Sequence, residues 1–196
     1  MRIGGGLWKR TPLAVPDVEG LRPTPDRVRE TLFNWLGQRL GGWSCLDPFA
    51  GSGVLGLEAA SRGAERVVLI EREPRAVAAI RQAIERLDAR QVTLLSGDAR
   101  RLLAAAGPAL ATSPFDLVFL DPPFGEGWLP AILPLIAPRL ATDAFIYVEN
   151  DAPVGVDAMS QWLAVPGYEA PTVESLRADK AGQVHYHLFR LKLKPT

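Results

Sequence analysis

Between Ser44 and Glu149, short apolar runs alternate with longer stretches whose apolar residues recur every three or four positions. The short runs are Ser44–Asp47, Arg66–Glu71, Val92–Leu95, Phe115–Leu120 and Ala144–Glu149, and each reads as a buried strand. The amphipathic stretches, Val54–Arg62, Pro74–Leu87, Ala99–Ala106, Leu129–Leu140 and Asp157–Leu163, read as helices. Strand and helix in strict alternation imply βαβ units, hence an α/β protein with a mostly parallel sheet and helices on both faces.

The ends depart from this rhythm. Arg2 to Leu21 is rich in Gly and Pro with alternating apolar residues, which suggests an extended arm or a short strand. In "TPDRVRETLFNWLGQRL", Thr24 is a candidate N-cap and Pro25 a candidate first helical residue. Val28, Leu32, Trp35, Leu36 and Leu40 then fall on one face, and Gly41-Gly42 ends the pattern. At the other end, "YEAPTVESLRAD" and "VHYHLFRLKLK" alternate with period two around Lys-Ala-Gly-Gln, which predicts an antiparallel hairpin closing the sheet edge.

Composition narrows the function classes. Hydrophobic residues make up 47% of the 196 and charged residues 22%, ordinary for a globular protein with a full core. Basic and acidic residues number 22 each, so no global field draws the chain to nucleic acid and local patches must carry any such binding. One cysteine, Cys45, and two histidines, His185 and His187, supply neither a disulfide framework nor a cysteine-rich zinc site. The histidines read as hairpin packing, and no metal is expected. With no apolar run long enough to span a bilayer and no signal-peptide core in "MRIGGGLWKR", the expected address is the cytoplasm.

Ligands of open parallel sheets bind at the carboxyl ends of the strands. Four acids at or just after strand ends are singled out as informative: Asp47, Glu71, Asp98 and Asp121. Behind Asp47, Gly51-x-Gly53-x-x-Gly56 matches a nucleotide-loop fingerprint that is weak by itself. Glu71 lies 20 residues after Gly51, where a strand-end carboxylate can take both hydroxyls of an adenosine ribose. NAD and S-adenosylmethionine both carry that ribose. Asp47 separates them, because a carboxylate beside the loop opposes a pyrophosphate and suits a ligand with a sulfonium and an ammonium group. Asp98 can accept from the adenine amine, with the Ala99 backbone nearby, and is equally suited to capping the following helix. Phe49 and Arg72, flanking the loop and Glu71, join the cofactor-binding set.

"FDLVFLDPPFGEGW" is the most specific stretch. Pro122 and Pro123 hold the backbone extended and remove two N–H donors, which leaves an acceptor-rich loop beside an aromatic ring. Asp121 and the Pro122 carbonyl can accept both hydrogens of an exocyclic amine while Phe124 stacks on the base. Those bonds would aim the nitrogen lone pair at a sulfonium methyl, a gain from positioning. Trp128 is a further candidate for holding the base.

In motif order, "GLRPTPDRVRETLFNWL", "CLDPFAGSGVLGLEAASRGA" and "FLDPPF" resemble the class I S-adenosylmethionine-dependent methyltransferases that modify exocyclic amines. Within these they resemble the bacterial small-subunit rRNA (guanine-N2)-methyltransferases acting on guanine 966, and "MRIGGGLWKRTPLAVP" is similar to that family's opening. The resemblance implies a Rossmann-like seven-stranded sheet with an antiparallel last strand, S-adenosylmethionine as cofactor, and 16S rRNA of the 30S subunit or its assembly intermediate as substrate. It makes Asp47, Gly51 and Gly53 the cofactor loop, Glu71 the ribose ligand, Asp98 the adenine ligand, and Asp121, Pro122, Pro123 and Phe124 the guanine site. The helix bearing Thr24, Arg27 and Arg29 would cover the methionine end; on chemistry alone, Arg27 could pair with the carboxylate there.

Residues 1–21 would form an RNA-contacting arm and 22–196 the methyltransferase domain. Arg2, Lys9, Arg10, Arg22 and Arg29 are the candidates for phosphate contact. A target guanine must leave its stack, which favours a loop or bulge over a duplex. The competing readings are a DNA adenine-N6 methyltransferase, for which 196 residues leave little room for a target-recognition domain, an NAD-dependent oxidoreductase, and a non-catalytic RNA-binding assembly module. A monomer is expected.

Overall fold

The structure, a computed structural model, describes residues 1–16, 18, 24–125 and 127–193. Arg22 lies outside the described residues. The chain divides into two compact units, Met1–Ala99 and Arg100–Thr196. One seven-stranded sheet runs in the order β3-β2-β1-β4-β5-β7-β6.

The first unit carries α1 (Asp26–Leu36), β1 (Ser44–Asp47), α2 (Val54–Ser61), β2 (Arg66–Glu71), α3 (Pro74–Leu87) and β3 (Val92–Ser96). Its three strands are parallel, with Asp47 opposite Leu69 and Glu71 opposite Ser96. α2 is buried along its whole length, because Gly56 lets it lie directly on β2. A Cβ at Gly56 would come within 2.2 Å of Leu69 Cδ2. The amino-terminal arm folds back on itself through an Arg2–Pro12 bridge and buries Ile3 and Leu13.

The second unit carries α4 (Ala99–Ala105, whose first residue closes the first unit), α5 (Pro108–Ala111), β4 (Phe115–Leu120), α6 (Trp128–Ile136), β5 (Leu140–Asn150), α7 (Val156–Leu163), β6 (Thr172–Ala181) and β7 (Val184–Lys192). β4 and β5 are parallel, and β7 is antiparallel to both β5 and β6. The mostly parallel seven-stranded sheet with an antiparallel last strand is therefore the observed one.

Five local expectations are corrected. Pro25, not Thr24, occupies the N-cap of α1, and no side chain caps it. That helix stops at Leu36, because Gly37 adopts φ 92°, a conformation that favours glycine, ahead of the predicted Gly41-Gly42 stop. The predicted Leu129–Leu140 helix is α6 followed by a 3₁₀ turn at Ala137–Arg139, since Pro138 lacks the amide that an α-helix would need there. β5 outruns its apolar stretch at both ends: it starts at Leu140, which pairs with Phe115 of β4, and its pairing with β7, from Asp143–Lys192 to Asn150–His185, carries it through polar residues. The hairpin turn shortens to Gly182-Gln183, with Gly182 at φ 62°.

Candidate active site

In the first unit the strand ends converge on one carboxylate. Glu71 Oε2 accepts from the Gly51 amide at 2.7 Å, and its Oε1 accepts from the amides of Arg72 at 2.8 Å and Glu73 at 2.7 Å. The Glu71 carbonyl accepts from the Gly97 amide at 2.9 Å, which ties the turn before Asp98 to the end of β2. The glycine loop is also pinned by Ala50 N–H to the Ile70 carbonyl and Gly53 N–H to the Ala50 carbonyl. Gly53 begins α2 at φ 75°, and a Cβ there would stand 3.0 Å from Ile80 Cγ1. Shape and conformation thus both demand glycine.

Asp47 is only 2% exposed, directly ahead of this loop. Phe49, Gly51, Glu71 and Asp98 are half-buried, Ala99 is buried and Arg72 is exposed. Asp47, Gly51, Gly53, Glu71 and Asp98 therefore all occupy strand ends or the turns that follow them. Thr24 is buried just before α1, and Arg27 is exposed in its first turn. This set of strand-end carboxylates fits the hydroxyl, amine and cationic groups of S-adenosylmethionine.

Arg29 does not belong to the surface. Its position beside Val28, Leu32 and Phe33 on the buried face of α1 leaves it 2% exposed. Its guanidinium donates to Glu58 Oε2 at 2.7 Å, Asp26 Oδ1 at 2.5 Å and the Arg2 carbonyl at 3.0 Å. Arg62 holds the other Glu58 oxygen at 2.7 Å and lies 4.4 Å over the Phe33 ring. The expected phosphate contact by Arg29 is corrected accordingly: this charge is spent inside the protein.

The arm closes over the same triad. Gly4 N–H donates to Glu58 Oε2, Leu7 N–H to the Ser61 carbonyl and Trp8 N–H to Ser61 Oγ. At Gly6, φ is 76° and a Cβ would meet the Ser61 carbonyl at 1.9 Å, so the Gly-Gly-Gly run serves close docking. Arg2, Lys9 and Arg10 remain exposed. Lys9 lines an open cleft of ≈ 590 Å³ with Gln38, Arg39 and Arg62. That cleft lies at the carboxyl end of α2, about 12 Å along the helix from the glycine loop at its amino end.

In the second unit, β4 is fully buried from Leu117 to Leu120 and delivers the Asp-Pro-Pro-Phe loop. Asp121 is half-buried, Pro122 buried, Pro123 exposed, and the Phe124 ring 43% exposed. An aromatic face left open beside fixed acceptors can stack on a planar base. Trp128 is placed otherwise: it is buried at the start of α6, with the Arg100 guanidinium 3.9 Å above its ring.

His187 is buried and stacks on Phe189, and its Nε2 accepts from the Val154 amide at 3.2 Å. Burial, with a smaller contribution from His185, holds its pKa below the ordinary histidine value.

Sequence reasoning missed a buried acid in this unit. Glu149 is 4% exposed, and the Tyr147 hydroxyl donates to its Oε1 at 2.8 Å. Burial, then Glu149 and then Asp121, raise the Tyr147 pKa well above its ordinary value, so the phenol stays protonated and keeps donating. The signal was present, since Glu149 also closes an apolar run, the feature that singled out the other strand-end acids.

With this geometry in place, comparison with known proteins is informative. The family model described as conserved hypothetical protein 95 matches residues 1–190. The chain is 44% identical to ribosomal RNA small subunit methyltransferase D of Escherichia coli K12, over 97% of this chain and 89% of that protein. It is 36% identical to the protein of the same name from Haemophilus influenzae, over 97% and 93%. The solved structure of yhhF from Escherichia coli superposes with a TM-score of 0.80 at 38% identity, covering 99% of both chains.

Proposed function

The chain belongs to the conserved hypothetical protein 95 family, and we propose that it transfers a methyl group from S-adenosylmethionine to the exocyclic N2 amine of a guanine, guanine 966, in 16S rRNA. The observation that carries this reading is the loop Asp121–Phe124, with its half-buried carboxylate, its buried proline and its open aromatic ring. It occurs in a chain 44% identical over almost its full length to a small-subunit rRNA methyltransferase.

Asp47, Phe49, Gly51, Gly53, Glu71, Arg72, Asp98 and Ala99 would hold the cofactor, with Thr24 and Arg27 toward its methionine end. When bound, S-adenosylmethionine supplies an electrophilic methyl group on a sulfonium. The protein's part is orientation. Asp121 and the Pro122 carbonyl accept the two amine hydrogens, which draws the nitrogen lone pair out of conjugation with the base, while Phe124 fixes the ring plane and Pro123 stiffens the turn. On methyl transfer the sulfonium S–CH3 bond would break to leave a neutral thioether, the nitrogen would become cationic, and the Asp121 carboxylate would take one of its protons. A carboxylate beside a developing positive charge stabilises the transition state more than the ground state.

Arg2, Lys9, Arg10 and Arg22 are proposed as phosphate contacts, with residues 1–21 as an RNA-contacting arm on a methyltransferase domain of residues 22–196. The exposed Leu7 and Lys9 and the docked backbone beneath them support a rigid contact surface. With few such cations, affinity for free RNA is expected to be weak and an assembled 30S surface to be preferred. Among the described residues no helix is long and apolar enough to cross a membrane; the proposed protein is a cytoplasmic monomer acting on ribosomal particles.

The test is transfer of labelled methyl groups to unmodified 30S subunits, naked 16S rRNA and DNA in parallel, followed by mapping of the labelled base. Label on guanine N2 from 30S particles supports the reading. Label on DNA adenine would keep the residue roles and replace the substrate. Cofactor binding without transfer to any of the three would favour a binding module.

A further inference from the structure

Two stretches far apart in sequence are pinned to consecutive residues at the carboxyl end of α2. In the arm, Leu7 N–H donates to the Ser61 carbonyl at 2.7 Å and Trp8 N–H to Ser61 Oγ at 2.9 Å. After α1, Leu40 N–H donates to the Arg62 carbonyl at 3.0 Å. Each pinned segment carries an exposed cation next to its anchor: Lys9 follows Trp8, and Arg39 precedes Leu40. Both cations line the ≈ 590 Å³ cleft at this helix end.

The acids nearby are already matched. Glu58 takes Arg62 and Arg29, each at 2.7 Å, and Asp26 takes Arg29 at 2.5 Å. Two carboxylates thus balance two guanidinium groups, and none of the residues lining the cleft is acidic. Among the described residues, Lys9 and Arg39 enter no ion pair. Two cations therefore line one opening with their charge uncompensated.

A helix carboxyl end ordinarily disfavours an anion. Here the Glu58 and Ala59 carbonyls accept from Arg62 N–H, Ala60 from Gly63 N–H, Ser61 from Leu7 N–H and Arg62 from Leu40 N–H. Every carbonyl from Glu58 to Arg62 thus accepts a backbone amide, which offsets the negative end of the helix. The floor of the cleft is fixed as well. Arg62 donates to Gln38 Oε1 and Glu58 Oε1, and Gly5 packs so closely on its guanidinium that a Cβ there would stand 2.5 Å from Arg62 Nη2.

From this arrangement we infer that Lys9 and Arg39 form a seat for one backbone phosphate of the substrate rRNA, at the opposite end of α2 from the glycine loop. The Arg39 guanidinium can hold two phosphate oxygens in its fork, while the Lys9 ammonium adds a point charge. With 22 basic and 22 acidic residues the chain has no overall field for RNA, so affinity has to come from uncompensated local pairs of this kind. The inference rests on the rRNA reading proposed above and adds Arg39 and a shared phosphate to it.

The test measures binding and methylation of unmodified 30S subunits over a series of KCl concentrations, for the wild type, Lys9→Gln, Arg39→Gln, the double variant and Arg81→Gln. Arg81, exposed on α3, controls for a general loss of charge. Arg39→Gln is expected to raise KM for 30S subunits about tenfold, the low end for a hydrogen bond to a charged group, and to reduce the salt slope of binding by about one counterion. S-adenosylmethionine affinity should keep its wild-type value. Because both cations hold one phosphate, the double variant should lose about threefold less than the product of the single losses. Arg39→Lys should recover part of the loss, since an ammonium keeps the charge without the fork. Wild-type KM and salt slope in Arg39→Gln would overturn the inference, and so would an equal loss in Arg81→Gln. Independent losses in the double variant would overturn the shared phosphate. Inorganic phosphate bound by the wild type and lost in Arg39→Gln, with 30S kinetics unchanged, would make the cleft a small-anion site instead. Failure of the wild type to methylate any rRNA, with cofactor bound, would overturn the underlying reading and this inference with it.

Discussion

Glu71 at the end of β2 accepts a 2.7 Å hydrogen bond from the amide of Gly51, 20 residues earlier in the chain. The spacing read in the sequence as that of a ribose ligand is, in the structure, a clamp on the glycine loop. Three backbone amides orient the carboxylate before any ligand arrives, so little ordering cost is left for binding.

Replacing Glu71 tests both roles. Glu71→Gln sets an amide nitrogen where one oxygen accepted backbone donors, and it removes the charge. S-adenosylmethionine affinity is expected to fall by about tenfold to a hundredfold, the range for a hydrogen bond to a charged group. Titration calorimetry reads the first effect, and a lower melting temperature should accompany it. Unchanged affinity with a lowered melting temperature would confine Glu71 to holding the loop.

The target loop should behave differently. Asp121→Ala is expected to abolish methyl transfer and spare cofactor binding, because the role proposed for its carboxylate is to accept from the target amine. Equal loss of both would remove its proposed role. Phe124→Ala, at a ring 43% exposed, should change stability by less than about 0.5 kcal/mol, yet raise KM for the RNA substrate by the equivalent of about 1–3 kcal/mol of lost stacking.

Buried and exposed cations near the arm are likewise separable. Glu58 is shared by Arg29 and Arg62, and all three side chains are at most 4% exposed. Glu58→Ala strands two buried guanidinium groups and should cost about 3–5 kcal/mol in urea denaturation. Lys9→Ala should leave stability almost untouched and reduce the salt dependence of RNA binding by about one counterion. If Lys9→Ala left that salt slope unchanged, the arm would lose its proposed role in RNA contact.

The strands and the acids that end them were legible because burial on both faces writes a continuous apolar run, and a carboxylate that stops such a run stands out. Ser44–Asp47, Arg66–Glu71 and Phe115–Leu120 coincide with β1, β2 and β4 for that reason. What escaped depended on partners far along the chain. Arg29 looks like a surface cation until α2 brings Glu58 to it, 29 residues away. Glu149 looks like one more strand-end acid until the fold buries it and sets the Tyr147 hydroxyl against it. The ends of α1 and α6 were misjudged where a single Gly or Pro outweighed the apolar period.

His187 gives the fold a pH dependence whose direction follows from its setting. The folded protein holds this imidazole neutral, because burial disfavours the charged form, His185 adds repulsion, and Nε2 is occupied as acceptor for the Val154 amide. Its pKa is therefore lower folded than unfolded, where the ordinary value near 6.5 applies. Between those two values the unfolded chain binds more protons, so stability rises with pH across that window. His187 contributes fully above about pH 6.5, and its contribution falls as the pH drops toward the folded value. Urea denaturation from about pH 8 down to about pH 5 should show this loss. His187→Gln keeps an acceptor for the Val154 amide without titrating, and its stability should fall less steeply over the same range. Parallel curves for the two proteins would mean that His187 binds its proton equally well folded and unfolded, against the burial seen here.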